Sequence, residues 1–195
     1  MRERRRRTTV DGYEHAFGLQ YLARLGLNLK LADAVASSGD GRILHISAKP
    51  PAALVPNLDD LQFERRGWRL FGSLMSSQVL GFLHVQEAAR RRHERPIHIA
   101  IACVGPTMTE AIRREAWWVR ALYTVIATTP ERSAANAVRF LLEDNVRPAS
   151  GAAFLNPRRY QRSPIAYDAV LAANVWNLTE DLLGMAKAKS TSGLR

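Results

Sequence analysis

The sequence predicts an α/β fold, a parallel sheet of about three strands flanked by helices, and three observations carry that prediction. Short β-branched or apolar runs alternate with longer stretches of helical periodicity. Each short run is bounded by Gly or Pro. The chain has 195 residues with 47% apolar content, enough to bury one sizeable core.

From residue 13 to 35 the apolar side chains Phe17, Leu19, Leu22, Leu25, Leu27, Leu29, Leu31 and Ala34 recur with mostly helical spacing, until Ser37-Ser38-Gly39-Asp40-Gly41 breaks the pattern. A strand follows directly at Arg42-Ile43-Leu44-His45-Ile46-Ser47, and Pro50-Pro51 begins a long loop to about Gly67. Residues 71–92 contain no proline and place Leu74, Met75, Val79, Leu80, Leu83 and Ala88 at helical intervals. They end in Arg90, Arg91 and Arg92, cations that suit the negative end of a helix dipole.

The run Ile97-His98-Ile99-Ala100-Ile101-Ala102-Cys103-Val104 starts with β-branched residues at alternate positions and closes on Gly105-Pro106, a strand entering a loop. A helix is expected over 109–123. Thr129-Pro130-Glu131 opens another, with Thr as N-cap and Pro in the first turn, running to about Glu143. Residues 151–155 are the last strand expected and 166–183 the last helix. Three strands make a narrow sheet, and an uncovered edge offers unpaired N–H and C=O groups to other chains. That narrowness is the first sign of a fold only partly contained in this sequence.

The formal charge of +10 raises nucleic acid as a partner, because clustered cations bind phosphates through counterion release. The distribution argues against it. Residues 1–7 hold five arginines and one glutamate, +4 of the total, and the remaining charge is scattered apart from one cluster at 89–95. An organelle transit peptide fits poorly with so short a run containing Glu3. The longest apolar runs, 79–85 and 99–104, fall far short of the roughly 20 residues of a membrane span. Cys103, the single cysteine, can form no internal disulfide, and no Cys/His framework suggests a metal. The expectation is a cytoplasmic chain without metal: a basic disordered tail at 1–8, one domain at 9–184 and a flexible tail at 185–195.

Several weak motifs occur in a telling order. Thr9-Val10-Asp11-Gly12-Tyr13-Glu14 with Phe17 comes first, then GRILHISA (41–48), LDDLQFER (58–65), and the stretch from Trp68 to Met75. Gly105 with Thr109, TTPERSA (128–134) and Trp176-Asn177-Leu178-Thr179-Glu180 complete the run. Together they resemble the short-chain dehydrogenase/reductase family, most closely its retinol-dehydrogenase-like members, over residues 8–184. In that family they correspond to the start of the fourth helix, the strand usually written GRIVNVSS, the acidic loop before the active-site helix, and the W-x-x-Y-x-x-x-K approach. Gly105 and Thr109 then fit the PGxVxT loop.

The resemblance implies a partial Rossmann-like sheet lacking the first, nucleotide-binding half. The family cofactor would be NAD(P), but no G-x-x-x-G-x-G turn or NNAG-like strand end is present, so no cofactor is expected for the isolated chain. It also implies that the catalytic positions are degenerate. The family's proton-transferring tyrosine and the lysine four residues later read Phe71 and Met75, the carbonyl-polarising serine reads Ala48, and the relay asparagine reads Gln20. Ser47 precedes Ala48, but alternation along a strand aims it at the opposite face. His45 and Tyr21 are possible substitutes, and Gly105, Thr107 and Thr109 form the remnant of the loop that touches the nicotinamide carboxamide in intact relatives.

Plainer readings stand beside these. Phe71 and Met75 suit core packing, and His45 suits a hydrogen-bonded structural histidine. Asp59, Asp60 and Glu64 are expected to pair with Arg65, Arg66 or Arg69. Trp117-Trp118 forms either a lid or an interface. The leading functional expectation is a degenerate family member without hydride transfer of its own. One alternative is a repurposed non-redox small-molecule enzyme, an isomerase, cyclase or dehydratase, working through the remnant pocket. The other is an NAD(P)-dependent oxidoreductase completed by a partner subunit. Besides a small-molecule ligand, the expected partners are a second copy or another chain, docked through the helices at 13–35 and 71–92 with Val79, Phe82 and Leu83 in the interface.

Overall fold

The computed structural model describes residues 5–114 and 116–184. A π-helical turn, Phe17–Leu22, runs straight into helix α1, Ala23–Ala36. The chain then reverses into strand β1, Gly41–Ser47. A Cβ at position 41 would lie 2.5 Å from the Val35 carbonyl oxygen, so the reversal closes only on glycine. Helix α2 spans Leu70–Arg91 and strand β2 Ile97–Cys103. Short α3, Glu110–Arg113, and α4, Trp117–Ile126, precede α5, Pro130–Leu142. Strands β3, Ala152–Phe154, and β4, Ser163–Pro164, lead to the last helix, α6, Ala169–Leu182.

The sheet order is β1-β2-β3-β4. β1 and β2 run parallel in register from Gly41↔Ile97 to Ser47↔Cys103, and β2 and β3 are parallel at Ile101↔Ala153 and Ala102↔Phe154. The three parallel strands are those the sequence predicts. β4, antiparallel to β3, was not expected, because two residues including a proline carry no periodic signal.

Alternation along the strands sorts the core into two faces. On one, Ile99, Ile101, Cys103 and Ala153 meet Phe82, Val85 and Ala88 of α2 and Trp176 of α6. On the other, Ala100, Ala102 and Phe154 meet Ala137 and Phe140 of α5 with Val146 and Ala149. A further cluster joins Phe17, Tyr21 and Leu25 to Val79, Leu80 and Leu83 of α2 and to Val175 of α6. The expectation that Val79, Phe82 and Leu83 serve an intermolecular interface is therefore corrected. They are buried within the chain because α6, the π-helical turn and the sheet cover that side of α2.

Two other expectations change. The helix expected at 109–123 is divided into α3 and α4. Residues 5–8 of the expected tail are tied down: the Arg6 guanidinium donates to the Gln62 carbonyl at 2.8 Å and pairs with Glu64 at 3.4 Å, while Thr8 bridges to Glu14. Residues 1–4 and the expected tail at 185–195 lie outside the described residues.

β1 lies at the edge of the sheet. Gly41 N–H donates to Pro96 O and Val104 N–H to Ser47 O, so positions 41, 43, 45 and 47 direct their backbone groups to β2. Positions 42, 44 and 46 direct theirs outward, where β1 has no strand partner among the described residues. The Arg24 guanidinium caps one of these groups, donating to Ile46 O at 2.9 Å.

Candidate functional site

The end of β1, the π-helical turn and the first half of α2 converge where the sequence places the family's catalytic positions. Ser47 on β1 donates its hydroxyl to Gln78 Oε1 at 2.7 Å, and Gln78 Nε2 donates to Gln20 Oε1 at 2.5 Å. Three polar side chains from three elements thus satisfy one another. Ala48, half-buried, adds only a methyl group there. Phe71 and Met75 sit one turn apart on α2, and neither can transfer a proton or carry charge. The core-packing reading fails for Phe71, whose side chain is 67% exposed because it stands in the first turn of α2, ahead of the stretch that other elements cover; Met75 is half-buried.

His45 does not join this group. Asn28 Nδ2 of α1 donates to His45 Nε2 at 2.5 Å and reaches His84 Nε2 at 3.5 Å. The His84 ring stacks on Trp176, with centroids 4.9 Å apart and an 11° interplanar angle. Burial, then nearby Arg24, pushes His45 down to about 4. Burial, followed by His45 and Arg92, holds His84 well below the ordinary imidazole value. Both rings are neutral at neutral pH, so His45 is not an imidazolium acid there. Tyr21 is buried in the core with its hydroxyl 2.8 Å from Thr179 Oγ1, and burial raises its pKa above the ordinary phenol value. Neither proposed substitute is in position to act as an acid near neutrality.

The loop after β2 is also committed internally. Gly105 adopts φ +66°, the left-handed region, and the Thr107 hydroxyl meets Ser133 Oγ at 2.7 Å and Gly105 O at 3.2 Å. Thr109 precedes α3 without a side-chain capping bond. NAD(P), which the resemblance implies, therefore meets no ammonium at 75, no hydroxyl at 71 and an already bonded hydroxyl at 107. These residues do not fit a nicotinamide nucleotide. Cys103 is a buried thiol, pushed up to about 12 chiefly by burial. Among the described residues no group of three or more His, Cys, Asp or Glu side chains could hold a metal ion.

Two modest cavities flank the region. One of about 290 Å³ is lined by Arg24, Asn28, His45 and Ile46, and one of about 280 Å³ by Lys49, Phe82, Leu155 and Tyr167. Sequence reasoning missed Gln78, Asn28 and His84. A signal existed for two of them, since Gln78 and His84 are polar interruptions within the apolar stretch of α2.

Comparison with known proteins gives a consistent result. No protein-family model matches the chain. Retinol dehydrogenase 13 of Mus musculus is 23% identical over 194 residues, 95% of this chain and 58% of that protein. The chain is similar to retinol dehydrogenases over nearly all of its own length. Retinol dehydrogenase 12 of Homo sapiens is 25% identical over 181 residues, covering 91% of this chain and 56% of the relative. Retinol dehydrogenase 14 of Homo sapiens is 25% identical over 185 residues, covering 92% and 55%. These are short-chain dehydrogenase/reductases, the family the motifs resemble. The chain thus spans little more than half the length of the retinol dehydrogenases it matches. A crystal structure of an uncharacterized protein from Mycobacterium paratuberculosis superposes with a TM-score of 0.58 at 18% identity, over 91% of this chain and 62% of the other. That likeness shows the Rossmann-like α/β fold.

Proposed function

We propose that this chain is a short-chain dehydrogenase/reductase-like module that carries out no hydride transfer by itself. The observation that carries the reading is Phe71 on α2, an exposed phenyl ring at the position that resembles the family's proton donor, followed one turn later by Met75. Loss of positioned proton transfer alone removes about 10²- to 10⁴-fold in rate. The Ser47–Gln78–Gln20 chain supports the same reading, because its polar groups bond to one another.

The test uses retinal and NADPH as probes, retinal because the relatives are retinol dehydrogenases. Purified chain is expected to consume NADPH no faster than buffer does, and the Phe71→Tyr, Met75→Lys double variant is expected to stay equally inactive. Sustained protein-dependent oxidation of NADPH by the unmodified chain would overturn the proposal.

A second reading is favoured by one observation, the outward-facing backbone groups of Arg42, Leu44 and Ile46 on β1. In it, a strand supplied from outside the described residues pairs with that edge and brings a nucleotide site with it. The exposed side chains of Leu27 and Ile46 beside the edge would be buried in such an assembly.

A further inference from the structure

The cavity of about 280 Å³ beside the end of β1 is built by parts of the chain other than the degenerate catalytic positions: none of Gln20, Ala48, Phe71 and Met75 lines it. Its floor is Phe82 of α2 with Ala153 of β3, both buried. Its walls are Leu155, Ile165 and Tyr167, all half-buried. The wall is held off the floor by fixed contacts. Pro164 of β4 pairs with Ala152, and the Tyr167 ring stands edge-on to Phe82 at 6.4 Å. Gln86 Nε2 donates to the Tyr167 carbonyl and Tyr167 N–H donates to Gln86 Oε1, both at 2.9 Å. The cavity is therefore preformed, and its walls are mostly apolar, as in small-molecule sites.

Its charge is one-sided. No acidic side chain among the described residues lines it, and Lys49 at its mouth is exposed and meets no carboxylate among them. Asp168, the acidic residue next to Tyr167 in sequence, is committed to α6, where its Oδ1 accepts from Leu171 N–H at 2.7 Å. Tyr167 makes its hydrogen bonds through its backbone, and its hydroxyl has no partner among the described residues. Burial, then Cys103, raises the Tyr167 pKa, so the phenol is a neutral donor at neutral pH. Burial, opposed by Lys49, pushes the Cys103 thiol up to about 12. The ammonium and the phenol thus stand around the same buried thiol.

We propose that this cavity binds a small monocarboxylate with a one-ring or branched apolar body. The body lies against Phe82, Ala153 and Leu155, and the carboxylate sits on the Lys49 ammonium and accepts from the Tyr167 hydroxyl. One cation balances one negative charge, which favours a carboxylate over a phosphate monoester carrying about −1.5 to −2 at neutral pH. The volume falls just under the about 300–1,000 Å³ of drug-sized ligand sites, so a body of one ring fits and a dinucleotide does not. The inference is independent of whether the chain transfers hydride.

The test is a ligand-observed NMR titration of the full chain with 3-phenylpropionate, and with 3-phenylpropanamide as its neutral isostere. The expected result is saturable binding of the carboxylate, about tenfold or more tighter than that of the amide. Lys49→Met keeps an apolar stem and removes the charge, and is expected to abolish this preference. Tyr167→Phe keeps the ring, and is expected to weaken the carboxylate about threefold or more. Lys49 is exposed and without a carboxylate partner, so circular dichroism of its variant should show an unchanged fold. No saturable binding of 3-phenylpropionate up to about 10 mM overturns the proposal. So does equal affinity for acid and amide. A preference that survives Lys49→Met also overturns it, and would assign the anion to an arginine elsewhere on the chain.

Discussion

Between about pH 6.5 and pH 4 the folded chain is expected to lose about 3 kcal/mol of stability through His45 alone. Burial, followed by Arg24, lowers the folded-state pKa of His45 to about 4, whereas the unfolded chain titrates near the ordinary 6.5. The unfolded state therefore binds the extra proton across this window, and stability rises with pH through it. The contribution is fully present above about 6.5, falls as the pH drops towards 4, and is flat below that. His84 acts in the same direction, since burial, then His45 and Arg92, lower its pKa. The two rings share one crevice, with centroids 5.8 Å apart, so protonating either also opposes protonating the other. Denaturant unfolding at a series of pH values checks the expectation, and His45→Gln should flatten the profile. A stability independent of pH across the window would contradict it.

The second large effect is expected at Phe154. This ring is completely buried, edge-on to Phe140 at 6.1 Å and stacked on Tyr160 at 4.6 Å. β3 pairs with β2 at only two positions, so packing on this face holds the strand more than its backbone ladder does. Phe154→Ala is expected to cost about 3–5 kcal/mol, the transfer free energy of the ring plus the cavity it leaves. Phe154→Leu fills most of that space and should cost clearly less. Thermal or denaturant unfolding of the two variants provides the comparison. Equal and small losses would mean that β3 is not anchored as described.

The parts of the fold legible in the sequence were those with a local physical cause. β2 is announced by alternating isoleucines closed by Gly105-Pro106, and α5 by the Thr129 cap, whose hydroxyl accepts from Arg132 N–H, with Pro130 at the first helical position. Gly41 marks the turn into β1 because no other residue fits against Val35. What the sequence concealed depends on tertiary choice. Val79, Phe82 and Leu83 read equally well as an interface or as core until α6 is seen to cover them. Asp60 was expected to find one arginine; it pairs with Arg66 at 3.6 Å and also accepts backbone N–H bonds from Glu64, Arg65 and Arg66. Glu64 instead meets Arg6, 58 residues away in sequence.

At the candidate site, the replaced positions were legible by resemblance, but their new environment was not. Gln20 gains its role only because Gln78 reaches it, and His45 is drawn away from the catalytic group by Asn28 on a different helix. Such contacts between distant segments have no local sequence signature. The distribution of exposed apolar surface was equally hidden, since Phe71 and Trp117, Trp118 and Leu122 of α4 carry the periodicity of buried faces yet stand in water.

We propose that this chain builds no dinucleotide site by itself, and binding of NAD(H) and NADP(H) by isothermal calorimetry tests that proposal most directly. The oligomeric state and circular dichroism should be recorded on the same sample. A folded sample with no saturable binding is the predicted result. Clear micromolar binding by the isolated chain would contradict it and would place a nucleotide site among residues to which this account gives other roles.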